Sequence, residues 1–246
     1  MAYLWTSIKL QFRIPVSIFF SLLFPLIMMF AMMTSYGNFE IGNGYHFIDK
    51  YFLISTGMGL LPISLISFPI CLGESIQNQT YKRLEYLGIG IPSMIISDIF
   101  AYILLAFLSL SINIIFGFVI YDLHIPSLVY LVAYVLQGLY CSVVFLILGA
   151  LMALFVKNTR ALLPIGMSLM FSCYIFTGAF STFSKLPETF QMIGKYIPMK
   201  YVMNDFFHIW TEDKLVLPNL LTLNTVLGIG LTIIVVLFFV ITRKRK

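Results

Sequence analysis

Few side chains in this sequence could do chemistry, and their spacing separates them into kinds. Asp98 is the only carboxylate near the middle of a long apolar stretch, six residues after Pro92. An ionisable group there is costly and normally faces protein or water. It reads either as an ion or proton site, or as a boundary carboxylate paired with a nearby lysine or arginine. Glu74, Lys82, Arg83 and Glu85 form a mixed-charge cluster around Leu84 between two apolar runs; taken alone, this is the composition of a solvated turn. The histidines, His46, His124 and His208, fall in polar connecting segments, as solvated or interfacial residues rather than ligands. Cys71, Cys141 and Cys173 sit inside apolar runs at no metal-site spacing, so they count as small core hydrophobes.

The familiar catalytic motifs are missing. Gly194-Lys195 is followed by Tyr196 and lacks an upstream glycine, so it is no phosphate-binding loop. Neither His-Glu-x-x-His nor Gly-x-Ser-x-Gly occurs. No metal site and no catalytic set are expected, and this chain alone is not expected to hydrolyse ATP.

The elements that must position these residues follow from composition. Of 246 residues 60% are hydrophobic and 10% charged, with a mean hydropathy of +0.98. So few charges cannot cover the surface of a water-soluble domain of this size. A spanning helix needs about 20 mostly apolar residues. Six stretches qualify: Ile14 to Met33, Tyr51 to Leu72, Ser93 to Ile120, Ser127 to Val156, Ala161 to Ser181 and Leu220 to Thr242. They are continuous rather than alternating, which favours helices over a barrel. The expected fold is an all-α membrane protein of six transmembrane helices in one domain, 1–246.

Lysine and arginine assign sides. With the N-terminus inside, the inner segments carry Lys9, Arg13, Lys82, Arg83, Lys157, Arg160 and the Arg243–Lys246 tail. The outer ones carry Lys50, Lys185, Lys195, Lys200 and Lys214. This bias follows the positive-inside rule and puts both termini in the cytoplasm. The net charge of +5 is then a topological signal and a match to anionic lipid, not a nucleic-acid footprint. Residues 3–13 place Leu4, Ile8 and Phe12 on one face, which predicts a short amphipathic helix in the inner interface. Residues 73–92 form the polar inner loop. Residues 182–219 carry apolar residues at helical spacing, punctuated by Pro187, Pro198 and Pro218; short helices re-entering the outer leaflet are expected.

Within the spans, Ser109, Ser111, Asn113, Gln137 and Ser142 are polar enough to bond between helices or to line a substrate path. Phe20, Phe24 and Met28 belong to a soft aromatic and methionine-rich face of the first span. That face either accommodates varied substrates or meets lipid.

Two stretches resemble a known family. Glu74-Ser-Ile-Gln-Asn-Gln-Thr-Tyr-Lys82-Arg83-Leu84-Glu85-Tyr-Leu87, followed by Pro92, is similar to the acidic residue, basic-Leu-Glu stretch and span-opening proline of type-2 ATP-binding-cassette (ABC) exporter permeases. Gly178-Ala-Phe180, Leu186-Pro187, Ile193, Pro198 and Tyr201 resemble that family's G-x-F, L-P and P-x-x-Y signature after the fifth span. Two departures stand out: Thr80 or Tyr81 replaces a usual glycine, and Asp98 stands near where many members carry lysine. The resemblance covers nearly the whole chain.

It implies a permease that pairs with a second copy or a homologous permease, mainly through the first and fifth spans. A separate cytoplasmic ABC ATPase would bind ATP and magnesium. Glu74, Lys82, Arg83, Leu84 and Glu85, aided by Lys9 and Arg13, would couple to that ATPase. Gly178, Phe180, Leu186, Pro187, Pro198 and Tyr201 would form an outer gate. Phe20, Phe24, Met28, Ser109, Asn113 and Gln137 would border the substrate path. The expected cargo is amphipathic or hydrophobic: an antimicrobial or toxin-like peptide, a drug or a lipid, moved across a bacterial plasma membrane. The competing readings are a stand-alone ion-coupled carrier or channel using Asp98, and an intramembrane enzyme or assembly factor.

Overall fold

The computed structural model describes residues 2–11, 15–86, 88, 90–156, 158–181 and 183–244. Six helices are long and apolar enough to cross a membrane, and the fold is 83% helical. The spans are Phe19–Tyr36, Phe47–Gln77, Ile91–Tyr121, Leu128–Phe155, Thr159–Thr177 and Pro218–Lys244. Arg13, Leu87 and Lys157 lie outside the described residues, as do Arg245 and Lys246.

The second span is the axis of the bundle. Of its most apolar stretch 89% is buried, against 22% for the first and fifth spans and 11% for the sixth. The first, third, fourth and fifth spans pack around it, and the sixth packs on the outside of the fourth. A helix buried all round needs small residues where neighbours press closest. Gly59 is such a place: a Cβ there would lie 2.5 Å from Ser109 Oγ and 2.9 Å from the Ser21 carbonyl.

Pro25 and Pro62 interrupt the backbone bonding of the first and second spans, and later spans repair it. Pro25 has no N–H to give the Ser21 carbonyl one turn before it, and Ser109 Oγ of the third span donates to that oxygen at 2.8 Å. Pro62 likewise frees the Met58 carbonyl, which accepts from Tyr174 Oη of the fifth span at 2.7 Å. π-turns at Phe19–Leu23 and Ile63–Ser67 adjoin these prolines. In hydrocarbon an unpaired carbonyl costs several kcal/mol, so both side chains fill a definite need.

The two ends of the bundle differ. The proximal end holds the N-terminal helix Ala2–Gln11, the turn after Gln77 and the short helix Thr80–Tyr86. The distal end holds a β-hairpin, the 122–127 connection and the segment between the fifth and sixth spans. The hairpin is a small addition to the expected helical fold. Strands Glu40–Gly42 and Tyr45–His46 pair antiparallel around Asn43-Gly44. Both turn residues have positive φ, 55° and 77°, the pair a two-residue type I′ turn demands. The second span also begins earlier and ends later than Tyr51 to Leu72, because Asp49 at its start accepts from the His46 backbone N–H at 2.7 Å and no helix breaker intervenes before Asn78.

Candidate functional site

At the proximal end the polar inner loop is largely helical. The second span continues through Glu74 to Gln77, and the chain reverses at Asn78 and Gln79, the latter at φ 54°. The short helix Thr80–Tyr86 follows, and Gly90 and Pro92 open the third span. Glu74, Lys82, Arg83 and Glu85 are exposed and Leu84 is half-buried. Gln77 Oε1 accepts from Thr159 Oγ1 at 2.7 Å, tying the turn to the start of the fifth span. Lys9 is exposed and stands over the Trp5 ring, 5.4 Å from its centroid. Tyr86 was not singled out from the sequence and is 90% exposed. A tyrosine displayed among charges is the composition of a protein-contact anchor.

Asp98 is the centre of this end. It is 6% exposed and accepts hydrogen bonds from Tyr81 Oη at 2.7 Å and from Ser7 Oγ. One carboxylate therefore joins the short helix, the N-terminal helix and the third span. Its hydroxyl partners had no local signal, since Tyr81 and Ser7 are 17 and 91 residues away. The N-terminal helix docks by polar residues, Ser7 and Gln11 being buried one turn apart while Trp5 is 61% exposed.

In the middle of the bundle, Ser109 and Asn113 lie between spans. Ser55 Oγ is 2.7 Å from Asn113 Oδ1 and 2.9 Å from the Pro25 carbonyl, and Asn113 Nδ2 donates to the Ser109 carbonyl at 2.9 Å. Gln137 Nε2 donates to the Leu215 carbonyl at 3.0 Å, and its Oε1 accepts from the Leu217 N–H at 3.1 Å. These three side chains act within this chain as ties between elements. Phe20, Phe24 and Met28 are half-buried. Phe20 meets Phe171 of the fifth span edge to face at 6.4 Å, and the rest of the first span displays Leu23, Ile27 and Phe30 outward.

The distal segment is a chain of short helices: Phe183–Lys185, Glu188–Gly194, Pro198–Lys200, Tyr201–Asp205 and Phe207–Trp210. Gly178 ends the fifth span in the left-handed region, φ 78°, with the Ala179 N–H returning to the Tyr174 carbonyl at 2.9 Å. Phe180 and Pro187 are exposed, Leu186 and Tyr201 half-buried, and Pro198 buried. Lys200 pairs with Asp205 at 2.8 Å and lies over the Phe183 and Tyr201 rings. Asn204 Nδ2 donates to the Thr177 carbonyl at 2.9 Å. Trp210 anchors the whole segment: it is fully buried, 4.2 Å from Phe52 and 5.3 Å from Tyr134 between ring centroids. Beside it, Asp49 accepts from the His124 N–H at 2.9 Å. Glu212, exposed, accepts from the Ser127 N–H, which holds its carboxyl below the usual range.

Among the described residues no group of three or more His, Cys, Asp or Glu side chains forms a metal site. A family model described as ABC-2 type transporter matches residues 1–209, from the N-terminal helix through most of the distal segment. No curated protein and no solved structure matches the chain.

Proposed function

We propose, from the premise that this chain belongs to the ABC-2 type transporter family, that it is the permease half of an exporter for amphipathic or hydrophobic molecules. As a multi-pass transmembrane subunit without its own ATPase site, it takes its energy from a separate ATPase subunit that binds ATP and magnesium. The proximal end is cytoplasmic, as the lysine and arginine bias requires, and both termini lie on that side of a bacterial plasma membrane. The N-terminal helix lies in the inner interface.

The observation that carries the reading is the short helix Thr80–Tyr86. It hangs between the second and third spans with Arg83, Glu85 and Tyr86 exposed, so a partner can grip it without touching the bundle. Movement of the ATPase dimer passes through it to the third span by way of Tyr81 and Asp98, favouring one permease conformation over another. Two permeases pair through the first and fifth spans, whose adjacent outward faces are apolar. The distal segment, clamped by Trp210 and Gln137, closes the outer exit, with Phe180 and Pro187 facing it. The sparse fixed charge and the methionine and aromatic lining of the first span suit a membrane-active peptide, a drug or a lipid better than an ion or sugar.

The test is purification with the ATPase encoded beside it, reconstitution into vesicles, and measurement of ATP hydrolysis as amphipathic peptides are added. Stimulated hydrolysis, lost with Arg83→Glu, is the expected result. Transport by the chain alone on an ion gradient, abolished by Asp98→Asn, would replace this reading with a carrier.

A further inference from the structure

A cavity of about 740 Å³ opens at the proximal end between the second, third, fourth and sixth spans. Its lining includes no residue of the first or fifth span, the proposed pairing face. Leu72, Ile99, Ile147 and Val235 wall it, one from each span; Gln77, Gln79 and Lys82 line the end at the turn and short helix, and Thr232 adds a hydroxyl on the sixth span. A second hollow of about 330 Å³ continues along the seam of the fourth and sixth spans as far as Tyr140, sharing Val143, Ile147 and Thr232 with the first. From Leu154 to Tyr140 the trough runs roughly 20 Å along the fourth span, against roughly 15 Å for one leaflet's share of the hydrocarbon core.

The polar end is built to donate. Lys82 brings a cation and no acceptor. Gln77 has its oxygen engaged by Thr159 Oγ1 at 2.7 Å, so its amide N–H groups are what it offers a ligand. Donors at one end and a leaflet-long apolar trough at the other select an amphiphile with an anionic head and aliphatic chains. We infer that this groove binds an anionic phospholipid of the inner leaflet, its phosphate on Lys82 and Gln77 and an acyl chain along the fourth and sixth spans. The inference rests on the proposed topology, which puts the proximal end at the cytoplasmic leaflet. Lys82 then differs in role from Arg83 and Glu85: it seats the short helix on lipid while those two face the ATPase.

Native mass spectrometry of the purified full chain, delipidated and titrated with phosphatidylglycerol or phosphatidylcholine of equal chain length, tests this without any ATPase. The expected result is retained lipid with about a fivefold preference for phosphatidylglycerol, the gain of one lysine near an anionic head. Lys82→Gln removes the preference. Arg160→Gln, exposed at the same end but outside the groove, leaves it intact. Ala150→Phe, which fills the trough, lowers retention of both lipids. Equal loss of preference in the Lys82 and Arg160 variants would reduce the effect to general surface charge and overturn the proposal. So would unchanged lipid counts in Ala150→Phe, or loss of a dimer in place of lipid, which would make the groove a contact between copies. Any of these failures leaves the ATPase-coupled reading standing, because no ATPase enters the measurement.

Discussion

The distal and proximal ends use polar and aromatic residues to opposite ends. At the distal end the groups that hold the segment turn inward: Trp210 is enclosed by Phe52 and Tyr134, Lys200 is paired with Asp205, and Gln137 grips both sides of Val216. At the proximal end one buried carboxylate holds the short helix and the N-terminal helix, and the remaining charges face outward. A segment locked by many internal contacts keeps its place, whereas one held at a few points and displaying charge can be moved by a partner. In the proposed function the same sequence style, short helices between spans, serves as a fixed cover at one end and a handle at the other.

The comparison breaks most visibly at Trp210. Trp210→Ala should cost about 3–5 kcal/mol of stability, as aromatic-to-alanine changes in packed cores do, read as a lowered thermal midpoint in detergent. Trp210→Phe should recover most of it. At the handle the expectation reverses: Arg83→Glu combined with Tyr86→Ala should weaken ATPase binding by about 2 kcal/mol or more and leave the midpoint unchanged. A lowered midpoint there would mean that the short helix is structural after all. Between these lies Tyr81→Phe, which removes one hydrogen bond to Asp98 at a cost of about 1 kcal/mol. It should raise amide exchange across Thr80–Tyr86 in the permease alone and leave the distal segment protected.

The smallest effect belongs to the exposed tie between Glu212 and Ser127. Its folded pKa is depressed, so its contribution is complete above the ordinary carboxylate value of roughly 4.3 and is lost as pH falls through the lower folded value. Glu212→Gln should flatten that part of the pH–stability curve, lowering stability slightly at neutral pH and leaving it unchanged below the folded pKa, where the wild-type carboxyl is protonated as well.

The six spans were legible because hydrocarbon imposes a length and a composition on each helix independently. The hairpin had its signal in Asn43-Gly44, but its strands are too short for alternation to show. The site was legible only where exposure makes it local. Glu74, Arg83 and Glu85 announced themselves by charge in an apolar chain, whereas Trp210 and the hydroxyls on Asp98 depend on which distant surface each side chain meets. Ser109, Asn113 and Gln137 showed that they needed partners; the backbone of other elements supplied those of Ser109 and Gln137, and the Ser55 hydroxyl that of Asn113.

The proline repairs also set an order of assembly. The chain enters the membrane from its N-terminus, so the first span carries the bare Ser21 carbonyl until the third is synthesised, and the second carries that of Met58 until the fifth follows. Each early helix is an unfinished part whose missing donor is encoded 88 and 116 residues downstream respectively. A chain truncated after the fourth span would keep the Met58 oxygen open in its central helix and give quality-control proteases a physical mark of incompleteness.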